Sequence, residues 1–307
     1  IIPIYCENRN TINLCNELQN FGAEHIVVVN DGLNPKSEYF NELTSIGCHL
    51  VHLKNNNGKG ASLKAGIKYA HDNLYNITGY ITCDADGQHT ANDVMKISRM
   101  LDLRNGSLIL GKRDYKKSKM PINIRIGNRL SSAYFKVITG KSCRDTQTGL
   151  RGIPAFLYDT VMKTKGSRFD FEMNFLTKCA DMRVPFYFVN IIADCSNCSS
   201  NFRLIKDTYL IYRTPLRFAT ASIGCTIIDL VLFTIFAYIL PSHMFFNIML
   251  ATLMARVVSG GINFLINRKV IFGNTDNGAK QALRFFILFF CIMCALSLIH
   301  ISEPTRR

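Results

Sequence analysis

Two carboxylates two residues apart, Asp84 and Asp86, stand in the run Asp84-Ala85-Asp86-Gly87-Gln88-His89, directly after the strand-like segment 79–83. At a strand end such a pair can reach one hard divalent cation, with the amide oxygen of Gln88 close by, and a cation held there would bridge the phosphates of a nucleoside diphosphate. On its own, Asp-x-Asp commonly does no more than end a strand. The residues upstream change the reading. Pro3, Tyr5 and Glu7, then Asn30-Asp31-Gly32, then Asn57-Gly58-Lys59-Gly60-Ala61-Ser62 each follow an apolar run. Gly58-Lys59-Gly60 reads equally as a helix start and as part of a donor site. It is not a phosphate loop of the Walker type, because the Gly-x-x-x-x-Gly-Lys-Ser/Thr spacing is absent.

Residues so far apart in sequence meet only if the scaffold delivers them to one edge. From residue 1 to about 113, short β-rich runs (1–5, 25–29, 49–53, 79–83 and 107–111) alternate with helix-length segments, the signature of a parallel sheet covered on both faces. In such a sheet ligands bind at the carboxyl ends of the strands, where the polar residues cluster. The fold class expected is α/β and Rossmann-like. Beyond residue 113 the pattern predicts helices near 122–139, 154–165 and 171–182, then a strand near 184–192.

The series Ile-Pro-Ile-Tyr-Cys-Glu-Asn, Val-Val-Asn-Asp-Gly, Asn-x-Gly-Lys-Gly-Ala-Ser and Asp-Ala-Asp-Gly-Gln-His resembles family-2 glycosyltransferases of the polyprenyl-phosphate (dolichol-phosphate mannose synthase-like) branch. Asp145-Thr146-Gln147-Thr148-Gly149-x-Arg151, Arg168-Phe169-Asp170-Phe171-Glu172 and Ser200-x-Phe202-Arg203 match later motifs in the same order, so the resemblance covers about residues 1–215. It implies a GT-A fold and a single inverting displacement at the sugar C1. By the same resemblance Pro3, Tyr5, Glu7, Asp31, Lys59 and Asp84 line the nucleotide-sugar site, and Asp84, Asp86 and Gln88 hold Mg²⁺ or Mn²⁺. Asn30 departs from the family's usual Asp-Asp-Gly, which bears on base preference. A lipid phosphate acceptor is already ionised at neutral pH, so cations that place its oxygen beside C1 matter more than a strong base. Arg113, Arg125, Arg129 and Arg203 are the candidates for that task. Asp145 and Glu172 are the carboxylates available if a base is needed, and with Gln147 their motifs are expected to position donor sugar and site helices.

Composition points to a membrane. Of 307 residues 48% are hydrophobic, and the mean hydropathy is +0.10. Lys and Arg (36) exceed Asp and Glu (22), so the formal charge of +14 favours anionic partners. Nucleic acid is disfavoured, because the basic residues follow the strand-end cleft and the membrane boundary. The 11 cysteines, an odd number, fit a reducing cytosolic face better than a disulfide framework. Cys195/Cys198 and Cys291/Cys294 are too few for a closed structural zinc site at either place.

Residues 201–217 mix Arg203, Lys206, Arg213 and Arg217 with apolar side chains, as an amphipathic interfacial linker requires. Apolar stretches follow at 218–240, 245–266 and 283–299, each near bilayer length. Positive charge precedes the first and separates the second from the third (Arg268, Lys269, Lys280, Arg284), which predicts a multi-pass protein with a cytoplasmic catalytic domain. Phe218-x5-Gly224-x4-Asp229-Leu230 and Ala255-Arg256-x3-Gly260-x2-Asn263-Phe264-x2-Asn267-Arg268 resemble the GtrA-like membrane domain. Asp229 and Arg256 each fall about 16 Å into their spans, so they are expected to pair as a membrane ion pair.

The expected division is 1–200 catalytic, 201–217 linker and 218–300 membrane. In the last of these three spans are visible where the family shows four, and 301–307 is expected to be an artefactual tail. The leading function is transfer of a hexose from a GDP- or UDP-sugar to dolichyl or undecaprenyl phosphate. The alternatives are a glycan or polysaccharide transferase anchored by its helices, and a lipid-linked-sugar translocation or scaffold module with an inactive front domain. A processive synthase would carry Gln-x-x-Arg-Trp, and the chain has no Trp.

Overall fold

The structure, a computed structural model, describes residues 1–114, 122–192, 204–240, 245–266 and 287. The chain divides into two units, residues 1–211 and 212–307.

In the first unit β1 (Ile2–Ile4), β2 (Val27–Asp31) and β3 (His49–Leu53) pair in parallel, with Ile2 opposite Val28 and Val28 opposite Leu50. Every residue of β2 is buried, because helices cover both faces of the sheet, and the strand therefore reads as an unbroken apolar run. The other four strands are β4 (Gly79–Thr82), β5 (Leu108–Arg113), β6 (Arg151–Pro154) and β7 (Phe186–Ile191), in the order β4-β6-β5-β7. The Ile1 amino group donates to the Ile81 carbonyl at 2.7 Å and the Cys83 N–H to the Ile1 carbonyl at 3.0 Å. These bonds join β1 to β4, giving the continuous order β3-β2-β1-β4-β6-β5-β7.

Three differences from the sequence reading have physical causes. The sheet is mixed, because β6 runs antiparallel to both β4 and β5. Its sequence Arg-Gly-Ile-Pro lacks the β-branched alternation that marks a strand. Gly152 is required there, since a Cβ would come within 2.9 Å of Ile97 and 3.2 Å of Ile109. Second, β2 extends to Asp31, paired with Leu53, so Asn30 and Asp31 lie on the strand end and not in a loop. Third, the expected linker and first span run into one helix, because Leu204–Ile239 is continuous.

Helices α1 (Arg9–Asn20), α2 (Glu38–Ser45) and α4 (Ala91–Leu103) pack on one face of the sheet. On the other face lie α3 (Lys59–Asn73), α5 (Ile122–Thr139), α6 (Tyr158–Lys163) and α7 (Phe169–Asp181). Along β2, Val28 enters the first core while Val27 and Val29 enter the second, the period-two alternation of a strand.

The second unit contains most of α8 (Leu204–Ile239) and all of α9 (Phe245–Ile266). Within them Thr220–Ile239 and Asn247–Ile266, 20 residues each, contain 18-residue stretches with mean hydropathies of 2.0 and 1.6. Twenty helical residues span about 30 Å, the thickness of a bilayer core. Leu230, Val231, Ile235 and Val257 point outward from these helices, as lipid-facing side chains do. The third apolar stretch, apart from residue 287, lies outside the described residues, as do both Cys-x-x-Cys pairs.

Candidate active site

The loop after β4 folds back on itself at Gly87, whose φ is 86°. The Gln88 N–H donates to Asp86 Oδ1 at 3.1 Å, and the Gln88 side-chain amide donates to Asp86 Oδ2. The start of α1 anchors this loop, with Thr11 Oγ1 donating to the Ala85 carbonyl at 3.0 Å and Asn10 Nδ2 to the Asp86 carbonyl at 3.4 Å.

Lys59 opens α3, so the Gly58-Lys59-Gly60 run is a helix start. Its side chain also enters the site, with Nζ 2.6 Å from Asp84 Oδ1 and 3.1 Å from Glu172 Oε1 on α7. Asp31 sets that helix start by accepting from the N–H groups of Asn57 (2.7 Å) and Gly58 (2.9 Å). Gly58 has φ of 94°, and a Cβ there would lie 2.7 Å from Arg168 Cγ, so glycine alone lets α3 begin this close to α7.

Charge in this cluster is unevenly satisfied. Burial opposes ionisation of Asp84, but the neighbouring groups, the Lys59 ammonium foremost, together outweigh it and hold the carboxyl well below the usual range. Burial would lower the Lys59 pKa, yet Asp84 and Glu172 raise it above that of an ordinary lysine. Asp86 is pushed upward, by burial and then by the Asp84 charge. It therefore carries a charge that its protein neighbours leave under-compensated. Among the described residues no group of three or more His, Cys, Asp or Glu side chains could hold a metal. The donor set, two carboxylates and one amide, fits a hard cation that brings its other oxygens from diphosphate and water.

A second network follows β5. The Arg113 guanidinium donates to both Asp145 oxygens, at 2.7 and 2.8 Å, and the pair is buried. Asp145 thus meets its cation in Arg113. Thr146 Oγ1 donates to Ser131 Oγ on α5 at 2.8 Å, and Thr82 Oγ1 to the Gly149 carbonyl at 2.8 Å. Arg151, missed as a site residue although it ends a quoted motif, clamps this loop. It donates to the carbonyls of Thr148 (2.9 Å), Thr146 (3.1 Å) and Glu172 (3.1 Å). Its place at the end of the Asp145-Thr146-Gln147-Thr148-Gly149-x-Arg151 run was the available signal.

The loop passes so close to the carboxylate cluster that a Cβ on Gly149 would sit 2.0 Å from Asp84 Oδ2. Gly149→Ala should therefore displace Asp84 and weaken nucleoside diphosphate binding by at least tenfold in a calorimetric titration; unchanged affinity would show that the loop yields instead.

Pro3 lies within β1, opposite Val29, while Tyr5 and Glu7 follow the carboxyl end of the strand and are exposed. Gln147 lies against Gly127 on α5, 3.8 Å from a Cβ built there. Arg125 is half-buried and Arg129 exposed on the same helix. Arg129 shares no ion pair with the carboxylate cluster among the described residues, and Arg203 lies outside them. The Asn30 departure has a local cause. Its amide donates to the Leu33 carbonyl (2.9 Å), contacts His52 Nδ1 (3.0 Å) and accepts from the Leu33 N–H (2.7 Å). A carboxylate could not donate to that carbonyl.

In the second unit Asp229 accepts a hydrogen bond from Ser259 Oγ at 2.7 Å, and the same hydroxyl lies 3.3 Å from the Arg256 carbonyl. A described partner of Asp229 is thus the Ser259 hydroxyl, one turn along the helix from Arg256. Small Ser259 brings the helices close enough to reach it.

An α/β sheet ordered 3-2-1-4-6-5-7 with a carboxylate loop after its fourth strand defines a GT-A-type transferase domain. The glycosyl transferase family 2 domain matches residues 1–159, and the GtrA/DPMS transmembrane domain matches residues 217–302. The chain belongs to glycosyl transferase family 2 and carries a membrane domain behind its catalytic one. Its relatives include an uncharacterized protein of Methanocaldococcus jannaschii, 32% identical over 187 residues, 57% of this chain and 72% of that one. The UDP-N-acetylglucosamine–dolichyl-phosphate N-acetylglucosaminyltransferase of Methanococcus voltae is 29% identical over 171 residues, 49% of this chain and 66% of that one. Among solved structures, glucosyl-3-phosphoglycerate synthase from Mycobacterium tuberculosis with Mn²⁺ and UDP-glucose superimposes with a TM-score of 0.52 at 13% identity, over 70% of this chain and 75% of that one. This likeness is one of fold.

Proposed function

We propose that this transferase moves a hexose from a nucleoside diphosphate sugar to a polyprenyl phosphate at a membrane surface, inverting C1. The observation that carries the reading is the Asp84–Asp86–Gln88 loop, flanked by Lys59 and Glu172, in a chain that also bears a GtrA/DPMS transmembrane domain. The name of the Methanococcus relative, which joins a UDP-sugar to dolichyl phosphate, supports both substrate classes. The Mycobacterium fold neighbour, solved with Mn²⁺ and UDP-glucose, supports the donor.

Asp86, with Asp84 and Gln88, would hold Mg²⁺ or Mn²⁺, which supplies neutralisation of the leaving diphosphate. Lys59 orients Asp84 and links it to Glu172. Pro3, Tyr5, Glu7 and Asp31 line the nucleoside side, Asp31 by fixing the backbone at Asn57 and Gly58. Arg125, Arg129 and Arg203 are the cations for the acceptor phosphate. Arg113, engaged by Asp145, and Gln147 shape the loop beneath them. Because the acceptor oxygen is ionised, neither Asp145 nor Glu172 has to remove a proton.

The proposed division is 1–200 catalytic, 201–217 interfacial and 218–300 membrane, with the catalytic unit cytoplasmic by the positive-inside rule. A lipid acceptor also suits α5. Ile122, Ile126, Leu130 and Val137 form an exposed stripe at helical spacing, and Arg125, Arg129 and Lys136 lie along one flank. An apolar stripe edged with cations is what an anionic lipid surface binds.

The test incubates the detergent-extracted chain with radiolabelled GDP- and UDP-hexoses, dolichyl or undecaprenyl phosphate and Mn²⁺, and counts label in the organic phase. Label from one donor is expected. Leu130→Glu should lower it severalfold in lipid vesicles while leaving nucleotide binding intact. Label only in a water-soluble glycan would replace the lipid acceptor with a saccharide. No transfer despite donor binding would favour a scaffold role.

A further inference from the structure

His89 closes the Asp84–His89 motif, yet the roles assigned so far leave it idle. Its side chain is 1% exposed, and its Nε2 lies 3.5 Å from Asp84 Oδ2. That is within ion-pair reach, but neither ring nitrogen has a hydrogen-bond partner among the described residues. Buried polar groups are nearly always paired, so an imidazole idle at both nitrogens calls for a partner that arrives or moves. The ring is held where it is by the residue after it. Thr90 caps α4, its hydroxyl accepting from the Asp93 N–H at 3.2 Å, and this fixes the backbone from which His89 projects.

Asp84 is the group within reach. Its Oδ1 is taken by Lys59 at 2.6 Å, and its Oδ2 lies between His89 and the Gly149 backbone. A movement of roughly 0.5 Å would bring Oδ2 to ordinary hydrogen-bond distance from Nε2. Resting on the donor-site reading above, we propose that His89 is a positioning residue. Its Nε2–H grips Asp84 Oδ2 when a nucleoside diphosphate and its cation enter, so that Lys59 and His89 together fix the plane of the carboxylate. Asp86 and Gln88, four residues or fewer from Asp84, then present their oxygens from a loop with a set orientation. Ligating carboxylates at metal sites are themselves held by hydrogen bonds from outer groups, and losing such a group weakens the site without removing a ligand.

The test uses the full chain in detergent, UDP and GDP each titrated with Mn²⁺ by calorimetry, and the thermal midpoint of each variant without ligand. His89→Phe keeps the aromatic bulk and removes both nitrogens. Its midpoint should stay level or rise, while affinity for the Mn²⁺–nucleotide falls at least tenfold. His89→Gln, whose amide reaches the Nε2 position, should bind within threefold of the parent. His89→Asn, whose amide stops near Nδ1, should bind as weakly as His89→Phe. Parent-like binding by His89→Phe, or equal binding by the Gln and Asn variants, overturns the proposal and leaves the donor site standing. A parent chain that binds neither nucleotide overturns the donor-site reading and this inference with it.

Discussion

Asp86→Asn is expected to reduce transfer by roughly 10²–10³-fold, the range seen when one preorganised charge-stabilising group is removed from a hydrolase site. The fold should not suffer. Asp86 is raised by burial and by the charge of Asp84, so a neutral amide there relieves repulsion, and the thermal midpoint should hold or climb. Asp84→Asn should behave in the opposite sense for stability. It takes away the carboxylate that holds Lys59 at 2.6 Å and leaves a buried ammonium with Glu172 alone among the two site carboxylates. Measuring initial rates and unliganded midpoints for both variants separates the two aspartates. Equal loss of midpoint in both would mean that the pair is structural and that the donor lies elsewhere.

Arg113→Ala should strongly destabilise the catalytic unit. It strands Asp145, which is wholly buried, and removing one partner of a buried pair costs about 3–5 kcal/mol. For a domain of this size that is a fall of roughly 6–20 °C in the midpoint. Replacing both residues together, Arg113→Met with Asp145→Leu, should recover much of the loss, since no charge is then left alone. If Arg113→Ala instead leaves the midpoint unchanged and abolishes only the dependence of rate on lipid phosphate, Arg113 belongs with the acceptor cations.

The long elements could be read from the sequence because their signals are local. The helix expected near 122–139 is Ile122–Thr139, and the strand expected at 49–53 is His49–Leu53, each set by periodicity within a single segment. β6 could not be read this way. Its strand character comes from neighbours far away in sequence, and its side chains satisfy a packing constraint rather than a propensity. The site divides along the same line. Asp84, Asp86 and Gln88 are adjacent in sequence and were legible as a unit. The Lys59–Glu172 contact joins residues 113 positions apart, and the Arg113–Asp145 pair joins residues 32 apart. Only the fold could turn these expected ligands into partners of one another. Asn30 was conspicuous as a departure, but its reason, a carbonyl at Leu33 and a ring at His52, required the turn itself.

The reversed direction of β6 governs how the donor edge is lined. Parallel strands deliver chemistry from the residues that follow them. An antiparallel neighbour delivers it from the residues that come before. Arg151, at the start of β6, stands opposite Thr82 at the end of β4, so the 145–149 loop enters the donor edge from the side on which the other strands leave it. Past Pro154 the chain emerges at the opposite edge, where the 3-10 turn Ala155–Leu157 begins. The donor edge is therefore lined both by residues that leave β1 to β4 and by residues that lead into β6, while the 155–157 turn lies away from it.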